Sequence, residues 1–348
     1  MHHTEPATRG SDRQVAFWLL AVCAAIFFMI VLGGVTRLTH SGLSMVEWEP
    51  IMGIVPPLDQ AEWEATFEKY KQSPEYQLNI GMDVEGFKSI FLLEYLHRVW
   101  GRLIGLIFLL PFLYFLIKGK ISKPMVPKLV IMFVLGGLQG VLGWYMVKSG
   151  LVHDPQVSQY RLTAHLLAAL VIYAYILWTA LGLLYPRSSP YVVESVPMLN
   201  RFALFVTGLL TVTIASGGFV AGLKAGLGYN TFPLMGGQFI PDGMFALEPW
   251  YRNFFENIAA VQFDHRLLAE LSLVVVAILW FLARRYHLSA RTRVAFHLLF
   301  AMTVVQVILG VMTLLLVVPT WLAATHQGGA VVLFTLALNL NHSLLTDR

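Results

Sequence analysis

Phe91-Leu-Leu-Glu94-Tyr-Leu-His97-Arg98-Val-Trp-Gly101-Arg-Leu-Ile-Gly-Leu-Ile-Phe-Leu-Leu-Pro-Phe-Leu-Tyr-Phe-Leu-Ile117 is a long apolar run with a carboxylate, an imidazole and two guanidinium groups gathered at one end. About 20 mainly apolar residues at 1.5 Å rise each suffice to cross a bilayer, so the run reads as a membrane-spanning helix with a polar mouth. Seven more such windows lie near residues 15 to 35, 126 to 147, 161 to 184, 200 to 222, 263 to 283, 293 to 317 and 320 to 343. Composition agrees: 57% of the 348 residues are hydrophobic and 13% are charged, against roughly 25% charged in soluble domains. The expected fold class is an all-α polytopic membrane protein with eight transmembrane helices.

Loop charge sets the orientation. With the N-terminus inside, the inner segments carry thirteen Lys and Arg, among them Lys118, Lys120, Arg284 and Arg285, against four acids, whereas the outer segments carry eight against thirteen acids. Short loops rich in Lys and Arg stay on the cytoplasmic side, so both termini are expected to be cytoplasmic. The net charge of +4 thus reports topology and gives no footprint for nucleic acid. Residues 1–14 lack the features of a cleaved targeting peptide, which points to a bacterial cytoplasmic (inner) membrane. The single cysteine, Cys23, lies in the first span, which excludes an intramolecular disulfide; a small buried residue is its expected role.

Four spans carry a histidine near their outer ends, in two matched sets. His97, in Glu94-Tyr-Leu-His97-Arg98, and His165, in Arg161-Leu-Thr-Ala-His165, are followed by His265, in Gln262-Phe-Asp-His265-Arg266, and His326, in Ala323-Ala-Thr-His326, at offsets of 168 and 161 residues. Other features repeat in the same order. Gly33-Gly34-Val-Thr and Gly217-Gly218-Phe-Val close spans one and five, while Gln139-Gly-Val-Leu-Gly143 and Gln306-Val-Ile-Leu-Gly310 lie in spans three and seven. Four spans is an even number, so both halves keep one orientation, and a pseudo-twofold axis along the membrane normal is expected to relate two parallel four-helix bundles. The expected organisation is a cytoplasmic tail over 1–14, an N-terminal half over 15–184, a cytoplasmic linker over 185–199 and a C-terminal half over 200–348. Because all four histidines begin even-numbered spans, they belong near the external face. For the imidazoles of one half to meet, spans two and four, and spans six and eight, are expected to be neighbours.

Coordinating side chains inside apolar spans are expensive and mark function. Zinc and copper take three or four ligands converging on one point, whereas the duplication gives two sites of two histidines, the axial set of a b-type haem. Imidazoles serving as polar glue or proton relays are the competing reading. The residue four positions after each histidine is small (Gly101, Ala169, Ala269, Ala330) and shares its face, which leaves room for a planar ligand, although small residues also permit close helix packing. Arg98, Arg102 and Arg266 stand at the same helix ends, where haem propionates need cationic partners and where side chains also snorkel to lipid phosphates. Glu94, three residues before His97, is matched by Gln262, which does not titrate. The acidic half is suited to proton-coupled chemistry, with a carboxylate steadied by the helix dipole as the alternative, and the neutral half to electron relay. The outer connection 36–90 holds Asp59-Gln-Ala-Glu62, a capping-box pattern, ahead of Trp63, Phe67 and Tyr70 on one stripe. A short helix lying on the membrane surface is expected there. Its counterpart, 224–262, carries Trp250, Tyr251, Phe254 and Phe255, and both connections are expected to roof the sites.

Taken in order, Glu94-Tyr-Leu-His97-Arg98, the duplicated halves, Gly33-Gly-Val-Thr-Arg37-Leu-Thr-His-Ser-Gly-Leu-Ser-Met45 and Asn230-Thr-Phe-Pro-Leu-Met235 resemble the haem A synthase family over nearly the whole chain. The resemblance implies an oxidoreductase that converts a ring methyl of haem O to a formyl group by successive hydroxylations and loss of water, giving haem A for terminal oxidases. It implies that His97 and His165 ligate the substrate haem, that His265 and His326 ligate a resident haem b acting as electron relay, and that Glu94 is the acid/base residue. Some members carry a cysteine pair in the first outer loop; residues 36–90 hold none, so the likeness is to the cysteine-free branch of proteobacteria and mitochondria. Haem O has an apolar farnesyl tail and is expected to arrive through the lipid bilayer, with haem O synthase, an electron-transfer partner and oxidase assembly factors as candidate partners. The alternative is a non-enzymatic dihaem b-type membrane cytochrome, which gains nothing from the Glu94/Gln262 asymmetry. A transporter predicts helices broken at mid-membrane, and these spans show little sign of that.

Overall fold

The computed structural model describes residues 6–46, 55–150, 157–186 and 196–346. The linker expected over 185–199 lies mostly, at 187–195, outside the described residues. In chain order the helices are α1 (Pro6–Leu38), α2 (Gln60–Lys71), α3 (Val84–Ile117), α4 (Val126–Gly150), α5 (Gln159–Leu184), α6 (Pro197–Gly222), α7 (Asn253–Glu256), α8 (Ile258–Ala283), α9 (Ala290–Leu315) and α10 (Thr320–Thr346). Among the described residues eight are long and apolar enough to cross a membrane, all except α2 and α7. Each apolar window in the sequence falls in one of them, the window 293–317 running two residues past the end of α9 at Leu315.

Each half closes into a ring. In the first, α1 and α4 each pack against both α3 and α5; in the second, α6 and α9 each pack against both α8 and α10. The histidine-bearing helices α3 and α5, and likewise α8 and α10, therefore stand opposite one another instead of side by side. This corrects the expectation that they are neighbours. Helices in direct contact have axes about 8–10 Å apart, too close for an imidazole from each to reach toward a shared point, whereas the diagonal of a four-helix ring leaves that space. The halves meet through α1 with α10, α5 with α6, and α5 with α10.

The repeated double glycines explain that junction. A Cβ on Gly34 would overlap the side chain of Gln327, whose Nε2 donates to the Ile30 carbonyl at 2.8 Å; Gly218 faces Thr163 in the same way. The second glycine of each pair thus admits a helix of the other half, α10 against α1 and α5 against α6. Glycine inside a helix costs about 1 kcal/mol relative to alanine, and here that cost secures close approach. Arg37 adds a polar tie: its Nη2 donates to the carbonyls of Ala221 and Gly222, both at 3.2 Å, capping the last turn of α6 from the opposite half.

Within the rings, the first core gathers Leu19, Leu129, Met132, Leu170 and Ile176, the second Leu199, Leu210, Leu279, Leu299 and Leu340. On the outside, Leu106, Leu110 and Leu113 of α3 and Val130, Val134 and Leu138 of α4 are exposed, the apolar exterior a lipid-facing surface requires.

The helix after Asp59 forms as the capping pattern requires. Asp59 Oδ1 accepts from the Glu62 N–H at 2.9 Å, and Glu62 Oε2 reaches back to accept from the Leu58 N–H at 2.7 Å. Its stripe of Trp63, Phe67 and Tyr70 is buried against Phe87 and Phe91 of α3, with ring centroids 5.0 Å apart for Tyr70–Phe87 and 5.2 Å for Trp63–Phe91. The expected short helix is thus present, and it stacks on the early stretch of α3, which begins at Val84. Burying an aromatic side chain contributes about 1.5–3 kcal/mol, and three rings with two partners form a small core of their own above the first ring.

Candidate functional site

Each of the four histidines rests on a glycine of an adjacent helix. A Cβ built on Gly33 of α1 would lie 3.0 Å from His97 Cε1; on Gly143 of α4, 3.0 Å from His165 Cε1; on Gly217 of α6, 3.1 Å from His265 Cε1; and on Gly310 of α9, 3.0 Å from His326 Cε1. Any larger residue would push the ring forward, and overpacking of this kind costs about 1–3 kcal/mol. The first glycine of each pair and the glycine of each Gln-x-x-x-Gly repeat are therefore back-plates for imidazoles. The two glutamines act alike: Gln139 Nε2 donates to the His165 carbonyl at 2.8 Å and Gln306 Nε2 to the His326 carbonyl at 2.7 Å.

The rings so placed converge across each bundle. His265 and His326 have centroids 6.5 Å apart and planes at 84°; His97 and His165 rest on the matching glycines of the first ring. Two imidazoles bonded to one metal at about 2 Å, with roughly 1 Å more from nitrogen to ring centre, have centres roughly 6 Å apart. The second pair fits a single metal with two axial nitrogens. Nδ1 of His97 and of His326 is buried without a hydrogen-bond partner, so these rings are held by packing. Gly101, Ala169, Ala269 and Ala330, one turn below, are all half-buried. Among the described residues no three or more His, Cys, Asp and Glu side chains gather as a metal-binding group.

One turn before each first histidine lies a clamp on the outer loop. Glu94, 3% exposed, accepts at Oε2 from Ser44 Oγ (2.7 Å) and the Met45 N–H (2.9 Å), and at Oε1 from Arg98 Nη2 (2.6 Å) and Nε (3.1 Å). Arg98 Nη2 also donates to the Met45 carbonyl at 3.1 Å. In the second half, Gln262 Nε2 donates to the Tyr229 carbonyl at 3.1 Å, and Arg266 donates to the carbonyls of Tyr229 and Thr231, both at 2.8 Å. The carboxylate and the amide thus match what each loop offers, an N–H and a hydroxyl in one half and carbonyls in the other. Asn230 secures the second loop further by donating to the Leu314 carbonyl at 2.9 Å. Beside the first clamp opens a cleft of about 430 Å³, bounded by Met45, Leu58, Phe91, Tyr95, Arg98 and Arg102.

With two opposed imidazole pairs under two clamped loops, comparison with known proteins becomes specific. The model of the COX15-CtaA family, cytochrome oxidase assembly proteins, matches residues 16–338. The chain belongs to this family. Haem A synthase of Nitrosospira multiformis is 55% identical over 334 residues, 96% of this chain and 94% of its own length. Haem A synthase of Paramagnetospirillum magneticum is 52% identical over 338 residues, covering 96% and 95%, and human haem A synthase COX15 is 48% identical over 344 residues, covering 97% and 84%.

Sequence reasoning placed Glu94, Arg98, Arg266 and the four histidines of this COX15-CtaA member at one end of the spans, where the structure puts them. It missed the back-plate glycines, visible only as repeats, and a buried acid outside the membrane. Glu75, in the turn Pro74–Leu78, is 5% exposed, and its Oε2 has no hydrogen-bond partner. Burial first, then the nearby Glu94 charge, push its carboxyl up from 4.5 to about 8, against the pull of Arg37 and Lys224. Between those values the folded protein holds a proton that the unfolded chain has lost, so Glu75 makes stability fall as pH rises through the window. Glu75→Gln is expected to gain thermal stability relative to the parent as pH goes from 5 to 9. A melting difference constant across that range would show that Glu75 titrates alike in both states.

Proposed function

We propose that the chain is a haem A synthase, a membrane oxidoreductase that oxidises a ring methyl of haem O to a formyl group. The observation that carries this reading is the pair of imidazoles 6.5 Å apart across the second ring, repeated in kind across the first, in a chain 48% to 55% identical to proteins named haem A synthase. His97 and His165 hold the substrate haem, and His265 and His326 hold a resident haem b. The duplicated back-plates, the glutamines and the exchange-symmetric helix contacts support two sites related by a pseudo-twofold axis along the membrane normal, at one depth near the external face.

When bound, haem b would supply one-electron carriage between the substrate haem and an electron-transfer partner that takes up the electrons lost by the methyl group. The chain's own residues do the rest. Glycines 33, 143, 217 and 310 fix how far each imidazole projects, and the clamps hold the outer loops over the ring mouths. Glu94 sits one turn from His97 with both carboxylate oxygens fixed, and in this reading it moves protons released by the oxidation. Arg98 and Arg266 keep positive charge at the aqueous edge, where propionates lie. The cleft bounded by Tyr95 and Arg102 opens beside the Glu94 clamp. The loop charges support cytoplasmic termini, and the bacterial relatives at 52% and 55% identity support a bacterial inner membrane.

Extraction and chromatography of the pigments from purified protein test this reading. Haem B together with haem O or haem A is expected; haem B alone, filling both sites, would instead make the protein a dihaem cytochrome.

A further inference from the structure

The first histidines of the two pairs differ in what receives the ring N–H that does not face the metal, whereas His326 Nδ1, like that of His97, is buried without a partner. A histidine bound to iron through Nε2 carries its proton on Nδ1, and an acceptor there fixes the tautomer and makes the ligand more basic. His265 has one. Its Nδ1 lies 2.8 Å from Ser216 Oγ, and that hydroxyl donates to the Thr213 carbonyl at 2.7 Å. A hydroxyl owns one hydrogen; with it committed to Thr213, Ser216 accepts from His265 Nδ1–H. The Nε2 lone pair of His265 is thereby left free to bind iron.

Neither ring of the first pair is prepared in this way. Gln139 Nε2 donates to the His165 carbonyl at 2.8 Å, which fixes the amide nitrogen at that end, since an amide oxygen there would face another oxygen. The same nitrogen is 3.1 Å from His165 Nδ1, so that ring atom faces a donor and holds a lone pair, leaving the proton on Nε2. Coordination through Nε2 obliges the Gln139 amide to turn. Its Oε1, buried and without a partner, then accepts from Nδ1 at the expense of the carbonyl bond. His97 Nδ1 has no partner. The position matching Ser216, immediately before the back-plate glycine, is Leu32. The rings are otherwise alike: a Cβ on Gly33 would lie 3.0 Å from His97 Cε1 and 3.6 Å from Nδ1, and one on Gly217 would lie 3.1 Å and 3.6 Å from the same atoms of His265.

We propose that Ser216 is a positioning residue that makes the C-terminal pair retain its haem, and that Leu32, with Gln139 turned against His165, leaves the N-terminal pair able to release. The inference rests on the reading of both pairs as haem ligands and adds what that reading lacks, a physical reason why one haem stays and the other is exchanged. An enzyme whose substrate and product are both haems needs that difference.

The test uses full-length protein purified in detergent with its haem, in the parent and in Ser216→Ala, Ser216→Thr and Leu32→Ser variants. The readouts are the rate of haem transfer to excess apomyoglobin and the midpoint potential of the bound haem. Ser216→Ala is expected to lose the C-terminal haem about 10- to 100-fold faster and to raise its potential, because a less basic imidazole favours the ferric state less. Ser216→Thr restores both, and Leu32→Ser slows loss from the N-terminal site. Unchanged rate and potential in Ser216→Ala would overturn the proposal. So would faster loss with an unshifted potential and no rescue by threonine, which is the mark of packing alone. His265→Ala separates the two levels: if it keeps all its haem, the ligand assignment itself has failed; if it loses haem while Ser216→Ala does not, only the role of Ser216 falls.

Discussion

Replacing His265 with alanine is expected to strip the C-terminal half of its haem and to end haem A formation. The ring is one of two that meet across α8 and α10 with centroids 6.5 Å apart, and its back-plate Gly217 and partner Ser216 serve no other side chain of comparable chemistry. Alanine removes one axial nitrogen and leaves a space shaped for an imidazole. Haem content is expected to fall by about one per chain, with the change visible in the reduced absorption spectrum of the purified protein. The folded helices should survive, since the apolar core around Leu199, Leu279 and Leu299 lies at the other end of the ring. A variant with undiminished haem would remove His265 from the ligand set.

Glu94→Gln should have the second large effect, and its interpretation needs a partner variant. The carboxylate accepts from Ser44, Met45 and Arg98, so glutamine both abolishes proton transfer at this position and removes the negative charge facing the half-buried Arg98 guanidinium. Removing a general acid or base typically costs about 10²–10⁴ in rate. Haem A output is expected to fall at least about 100-fold while the haem on His265 and His326 is retained. Ser44→Ala removes one tie between Glu94 and the outer loop and keeps the carboxylate. Its loss should be much smaller. Equal losses in the two variants would assign Glu94 to holding the loop at Ser44 and Met45, with proton transfer carried elsewhere.

How much of this was legible in the sequence follows from which forces act locally. The eight spans were readable because a bilayer demands unbroken apolar length, and the four histidines because an imidazole in such a span is conspicuous. Arg37 shows the opposite case. Its partners are carbonyls of Ala221 and Gly222, far away in the chain, and nothing in its neighbourhood announces them. The start of α3 was misjudged because Val84–Ile90 stands outside the apolar window and carries Glu85 and Lys88; its stability comes from Trp63, Phe67 and Tyr70 stacking on Phe87 and Phe91. The diagonal placement of α3 and α5 was missed for a related reason. Periodicity tells which face of a helix is apolar and is silent on which two helices touch. The glycine repeats were seen as signs of duplication, while their use, one for a histidine and one for the other half, appears only when the helices are assembled.

In the proposed reading, His265 with His326, and His97 with His165, each hold one iron across a four-helix ring. A cryo-EM map of the haem-loaded protein tests it most directly. The account predicts porphyrin density spanning each ring near its outer mouth, with the iron within bonding distance of Nε2 of both histidines of the pair. Density for haem outside the rings, or iron held by any other side chain while these imidazoles point away, would contradict it.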